Sequence, residues 1–139
     1  MENPAAKSKH VLVVDDAIFI RNFIRTALKM ADIVNIREAA DGREALGICQ
    51  HRKFDLIISD WHMPNMNGLE LLQAIRADER THDTPFLMLT SDVSKENVTA
   101  AIKSGVSDYL AKPFRHDPLI IKVSRLLNVT PVTQLKVIR

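Results

Sequence analysis

The chain has 139 residues, a formal net charge of +2 and 46% apolar side chains. That length suits one compact domain, and the apolar share is enough for a single core. The small charge gives no reason to expect nucleic acid or a membrane surface as partner, and no apolar run nears the roughly 20 residues of a spanning helix. Met1 to Lys9 lacks the apolar stretch of a secretory signal. The single cysteine, Cys49, excludes an internal disulfide, suits a reducing cytoplasm, and reads as a small buried hydrophobe on a helix.

Short apolar runs alternate with helix-period stretches along the chain. Val11 to Val14 is a continuous run, as expected for a strand covered on both faces. Ile20, Phe23, Ile24, Ala27 and Leu28 then recur at helical spacing. Residues 33–39 read as a second strand. Asp41 and Glu44 have the spacing of a capping box, opening a helix to about Gln50. Leu56 to Ser59 is a third strand, followed by a turn-rich loop over 61–67. Asn67 and Glu70 form a second capping box for a helix through Arg76. Residues 85–89 read as a fourth strand and 94–104 as a helix closed by Gly105. A fifth strand follows over 107–111. Asp117-Pro118 suits a cap with proline at the first helical position, so the last helix is expected to begin there and end near Leu127. The predicted domain is residues 10–127, with a flexible lead-in over 1–9 and a tail over 128–139 that fits no element.

Five strand–helix units in succession predict an α/β fold, a parallel sheet with helices on both faces. Ligands bind such sheets beyond the carboxyl ends of the strands. There the sequence places Asp15 and Asp16 after strand one, Asp60 after strand three, Thr90 after strand four and Lys112 after strand five. Taken singly, the acidic pair fits a solvated loop, Asp60 a turn cap, Thr90 a plain strand end and Lys112 a surface lysine. Together they make a coherent set. Crowded carboxylates repel, and a hard divalent cation such as Mg²⁺ relieves the repulsion while leaving room for phosphate oxygens. A carboxylate can also attack phosphorus to give an aspartyl phosphate.

Val13-Val14-Asp15-Asp16, Ile58-Ser59-Asp60, Met63-Pro64 with Gly68, Leu89-Thr90 and Lys112-Pro113-Phe114 together resemble the receiver family of two-component signalling. The run from Asp60 to Leu72 is most similar to its single-domain chemotaxis branch, whose members bind the flagellar motor switch. The resemblance implies a flavodoxin-like (βα)5 sheet of order 2-1-3-4-5 and a cis Lys112–Pro113 peptide. It makes Asp60 the phosphoacceptor, with a partner histidine kinase as donor. Asp15, Asp16, Asp60 and the His62 carbonyl would hold Mg²⁺, and Lys112 would contact the phosphoryl group. Thr90 and Tyr109 would form the switch pair, altering the face of the fourth helix, fifth strand and fifth helix. A motor-switch protein or other target would read that face, with a phosphatase as a further partner. His62 stands where the chemotaxis branch usually has asparagine. His62 and Asp92 occupy the two positions that tune the lifetime of the phosphoryl group. Ile18 and Phe19 lie where this family docks kinases. Such a protein is a switch, not an enzyme, beyond its own aspartate chemistry.

Three other readings share these residues. The chain could be the receiver part of a longer regulator, or a phosphate sink with no output partner. A Mg²⁺-dependent aspartyl phosphatase is the remote one, since such enzymes usually carry an Asp-x-Asp pair on the first strand, whereas Asp15 and Asp16 are adjacent.

Overall fold

A computed structural model of the protein describes residues 3–130. Its elements are α1 (Pro4–Lys7), β1 (His10–Val14), α2 (Ile18–Met30), β2 (Asn35–Ala39), α3 (Gly42–Cys49), β3 (Leu56–Asp60), α4 (Gly68–Ala77), β4 (Phe86–Thr90), α5 (Lys95–Lys103), β5 (Asp108–Ala111) and α6 (His116–Leu127). The strands form one parallel sheet in the order β2-β1-β3-β4-β5. The expected order and all five expected units are present. Because α1 is counted, the fourth and fifth helices of the five-unit pattern are α5 and α6.

The side-chain alternation of the strands divides the core in two. Val11, Val13, Leu56, Ile58, Leu87 and Leu89 pack on one face with Ile24 and Leu28 of α2 and Leu119 and Val123 of α6. Leu12, Val14, Ile57, Phe86 and Met88 pack on the other with Ala45, Leu71, Leu72, Ile75 and Ala101 of α3, α4 and α5. This two-sided burial explains why the inner strands read as unbroken apolar runs rather than alternating ones. Cys49 lies in the second cluster as expected, and burial pushes its thiol up to about 11, so it stays protonated at neutral pH.

The caps fix where the helices begin. Asn67 and Glu70 make the full reciprocal box at α4. At α3 the Asp41 carboxylate accepts the Glu44 N–H, while the Glu44 side chain reaches past the cap to the Ala40 N–H. Ser94 caps α5 by accepting from Asn97, and Gly105 closes it at φ +90°.

Two expectations are corrected. Residues 3–9 are not a free lead-in, because Ala6 is fully buried against the first core cluster. The Asn3 side chain caps α1 and donates to the Thr130 carbonyl, and Asn35 donates to the Lys7 carbonyl. The last helix starts at His116, not at Asp117-Pro118, with Arg115 as an N-cap that makes no side-chain bond. Pro118 then falls within the first turn, where a missing N–H costs no helical hydrogen bond. The His116 ring stacks on Phe23 of α2, with centroids 4.3 Å apart, which anchors this early start. Of the tail, Asn128 ends α6 in the left-handed conformation and Val129 packs on the core. Residues 131–139 lie outside the described residues.

Candidate functional site

Strand register brings the chemistry to one edge. Val14 pairs with Ser59, so Asp15 and Asp60 leave adjacent strands side by side. Thr90 pairs with Ala111, and the next residue, Lys112, donates its N–H to the Thr90 carbonyl. The chain passes from β1 outward to β2 and returns to β3, so this edge lies at the topological switch of the sheet.

Asp15 retains 1% of its exposure and Asp60 8%. The Lys112 ammonium stands 3.3 Å from Asp15 Oδ2 and 3.1 Å from Asp60 Oδ1. Asp60 Oδ1 also accepts the Trp61 N–H at 2.8 Å. Among the described residues, no hydrogen bond or ion pair falls on Asp60 Oδ2. One carboxylate oxygen from each of Asp15, Asp16 and Asp60 lies within 4.8 Å of the other two. Burial raises the Asp15 carboxyl above its ordinary range and the Asp60 charge adds to the rise, against the Ala17 N–H and Lys112, which pull it down. Two of the three carboxylates, Asp15 and Asp60, thus share one ammonium, and Asp16 stands beside them without one. The donor set is entirely oxygen and carries surplus negative charge, so it fits a hard divalent cation such as Mg²⁺.

The main chain around the site is held tightly. Asp15 donates its N–H to the Ala39 carbonyl, and its own carbonyl accepts from Arg21 Nη1 at 2.7 Å. Arg21 Nε and Arg25 Nε grip the two oxygens of Glu38, each at 2.8 Å. Burial raises the Glu38 carboxyl, but the hydrogen bonds of Arg25 and Arg21 outweigh it and hold the group below its ordinary value. Sequence reading missed this network, whose members lie 13 to 17 residues apart on α2 and β2. Behind Asp60, Gly68 donates its N–H to the Trp61 carbonyl at 2.7 Å. A Cβ on Gly68 would sit 2.2 Å from the Asp60 carbonyl oxygen and 3.0 Å from Trp61 Cα. Only glycine permits this approach of α4 to the Asp60 loop.

The remaining expected residues are placed as follows. Thr90 is buried, and its hydroxyl donates to the Asp92 carbonyl at 3.1 Å while accepting the Asp92 N–H at 2.9 Å. Tyr109 is 37% exposed on the edge strand β5, with Lys122 Nζ 5.6 Å from its ring centroid. His62 is exposed at the rim. Asp92 is held below its ordinary range by the Ser94 N–H and hydroxyl, with a smaller effect from the charge of His62. The Lys112–Pro113 peptide is cis. Ile18 and Phe19 are 64% and 71% exposed. Phe19 lines an open groove of about 440 Å³ with Ile20, Phe23, Lys112, Pro113 and Phe114, and Ile18 lies outside its lining. No helix among the described residues is long and apolar enough to cross a membrane.

With that geometry in hand, known proteins give consistent relatives. The model of the response regulator receiver domain matches residues 11–124. The chemotaxis protein CheY of Pseudomonas aeruginosa is 37% identical over 118 residues, which cover 85% of this chain and 95% of that protein. The structure of the chemotaxis response regulator CheY4 of Vibrio cholerae superposes with a TM-score of 0.79 at 40% identity, covering 85% of this chain and 98% of that one. The receiver domain of the sensor histidine kinase PA1611 from Pseudomonas aeruginosa, solved with a magnesium ion coordinated in its active-site cleft, gives a TM-score of 0.79 at 26% identity over 86% of this chain and 98% of that one.

The close approach at Gly68 generates a test. Gly68→Ala should lower stability by roughly 1–3 kcal/mol, because the α4 start and the Asp60 loop must part to admit the methyl group. Urea unfolding would read it as a lower midpoint, and an unchanged midpoint would contradict the steric account.

Proposed function

The chain belongs to the receiver domain family of two-component response regulators, and on that premise we propose that it is a phosphorylation-dependent switch acting through Asp60. The observation that carries the proposal is the convergence of Asp15, Asp16, Asp60 and Lys112 at one strand edge. The unit that acts is taken as residues 10–127.

In this reading Asp60 Oδ2 attacks the phosphorus of a phosphohistidine on a partner kinase. A P–O bond forms, the P–N bond breaks, and the imidazole leaves with the electron pair of that bond. Asp15, Asp16, Asp60 and the His62 carbonyl would hold Mg²⁺, which would supply charge neutralisation to the phosphoryl oxygens. Lys112 neutralises a further oxygen from the other side. The Trp61 N–H keeps the Asp60 carboxylate turned for attack. Removal of the phosphoryl group passes the rim where His62 and Asp92 stand, and these two set its lifetime. The chain's chemistry is confined to its own aspartate, so it acts as a signalling protein and not as an enzyme with a separate substrate.

The signal follows from Thr90. Its hydroxyl is occupied by Asp92 in the present state. A phosphoryl group brings roughly two negative charges and strong acceptor oxygens. Thr90 would exchange the Asp92 contacts for one to the phosphate, vacating space for Tyr109 to turn inward. Lys122 Nζ of α6 stands over the Tyr109 ring, and α5 and α6 also carry the exposed Ile102 and Ile121. The α5–β5–α6 face would be read by a protein target, in line with the chemotaxis relatives a flagellar motor-switch component. The donor kinase would dock through Ile18 and Phe19 at the start of α2. The setting is the cytoplasm.

The reading is tested with a small-molecule phosphodonor and Mg²⁺, followed by intact mass. One acid-stable, base-labile phosphoryl group should appear, absent without Mg²⁺ and absent in Asp60→Ala; no adduct on the folded wild-type chain would refute it. Tyr109→Ala should accept phosphate at a similar rate but lose phosphate-dependent target binding, and equal target affinity in both chains would remove Tyr109 from the switch. Ile18→Asp and Phe19→Asp should slow transfer from a cognate kinase about tenfold or more by disturbing an apolar anchor. Transfer from the small donor, which needs no docking, should be unaffected; an unchanged kinase rate would free both residues from a docking role.

A further inference from the structure

The carbonyl of Asp15 has no strand partner. β1 ends at Val14, and the ladder gives Asp15 only one bond, from its N–H to Ala39. A buried carbonyl must find a donor elsewhere. It finds Arg21 Nη1 at 2.7 Å. The other arm of the same guanidinium is fixed on Glu38 Oε1, and Glu38 is fixed in turn by Arg25. Arg21 retains 16% of its side-chain exposure, so the bridge is largely screened from water.

We propose that Arg21 is a positioning residue for the metal site, setting the aim of the Asp16 carboxylate by holding the Asp15–Asp16 peptide plane. The inference rests on the metal-binding reading above. The peptide unit is rigid and planar, so fixing its oxygen fixes the direction in which Asp16 leaves it. The Asp15 side chain is anchored separately, through the Ala17 N–H on Oδ1 and Lys112 on Oδ2. Asp16 has no comparable anchor. Its side chain is exposed, and no side-chain hydrogen bond or ion pair to it occurs among the described residues. Its contribution to a three-carboxylate site therefore depends on the main chain that carries it. An arginine suits the task because its planar fork reaches two acceptors in fixed directions, whereas a lysine offers a single point charge. Groups that orient ligands from behind typically govern metal affinity by about 10–100-fold.

The test is a Mg²⁺ titration at constant ionic strength, followed by emission of Trp61, the one tryptophan of the chain, whose N–H bonds Asp60. Calorimetry on the same samples gives an independent constant. Arg21→Met keeps the apolar stem and removes the donors, and should weaken Mg²⁺ binding about 10–100-fold. Arg25→Met removes the other arginine on Glu38 but leaves the Asp15 carbonyl held. It should lose thermal stability with Mg²⁺ affinity within about twofold of wild type. Arg21→Lys, which keeps the charge, should still bind weakly, and it serves in place of Arg21→Met should that chain not fold. A folded Arg21 variant with wild-type affinity would overturn the proposal, as would equal weakening by Arg25→Met, which would assign the effect to general stability. A wild-type chain that bound no Mg²⁺ would overturn the metal reading itself, and this inference with it, an outcome distinct from either of those.

Discussion

Two buried carboxylates sharing one ammonium is the constraint to which the rest of this structure answers. Asp15 and Asp60 leave adjacent strands, nearly stripped of water, with Lys112 between them and Asp16 at the mouth. One positive charge cannot balance three negative ones, and burial first, with the Asp60 charge adding to it, raises the Asp15 carboxyl. A site left in this condition is receptive to further positive charge. On the proposed reading, the Asp60 carboxylate beside Lys112 would be a nucleophile next to a cation, the arrangement a transferred phosphoryl group requires.

Holding like charges together needs a stiff frame, and the frame is mostly main chain. The Trp61 N–H and carbonyl face opposite duties, one on the Asp60 carboxylate and one on Gly68. Gly68 then begins α4, whose box of Asn67 and Glu70 fixes the helix start. The position of Asp60 is thereby tied to a helix end packed in the second core cluster. Thr90 is different in kind. It is also buried, yet its hydroxyl is committed only to a neighbouring loop residue, Asp92. Breaking two local hydrogen bonds costs far less than moving a strand, so this edge combines rigid and yielding parts.

The units, the sheet and the five chemical residues were legible because each depends on local pattern. Apolar runs mark strands buried on both faces, capping pairs mark helix starts, and reactive side chains at strand ends meet wherever the sheet is parallel. What escaped was set by long-range contact. Nothing near Arg21 in the sequence points to Glu38, and nothing near Ala6 shows that it enters the core. The start of α6 was misplaced because Asp117-Pro118 is a good local cap signal, yet His116 is recruited into the helix by stacking on Phe23 of α2. Ile18 and Phe19 were both expected at the kinase-docking end of this helix, but only Phe19 lines the groove beside Lys112.

The bond from the Asn3 side chain to the Thr130 carbonyl brings residues 3 and 130 together where the strands begin, while Asp60 lies where they finish. A module or dye joined at either place would hang from the opposite pole of the domain, clear of the proposed phosphoacceptor and of any protein seated over it.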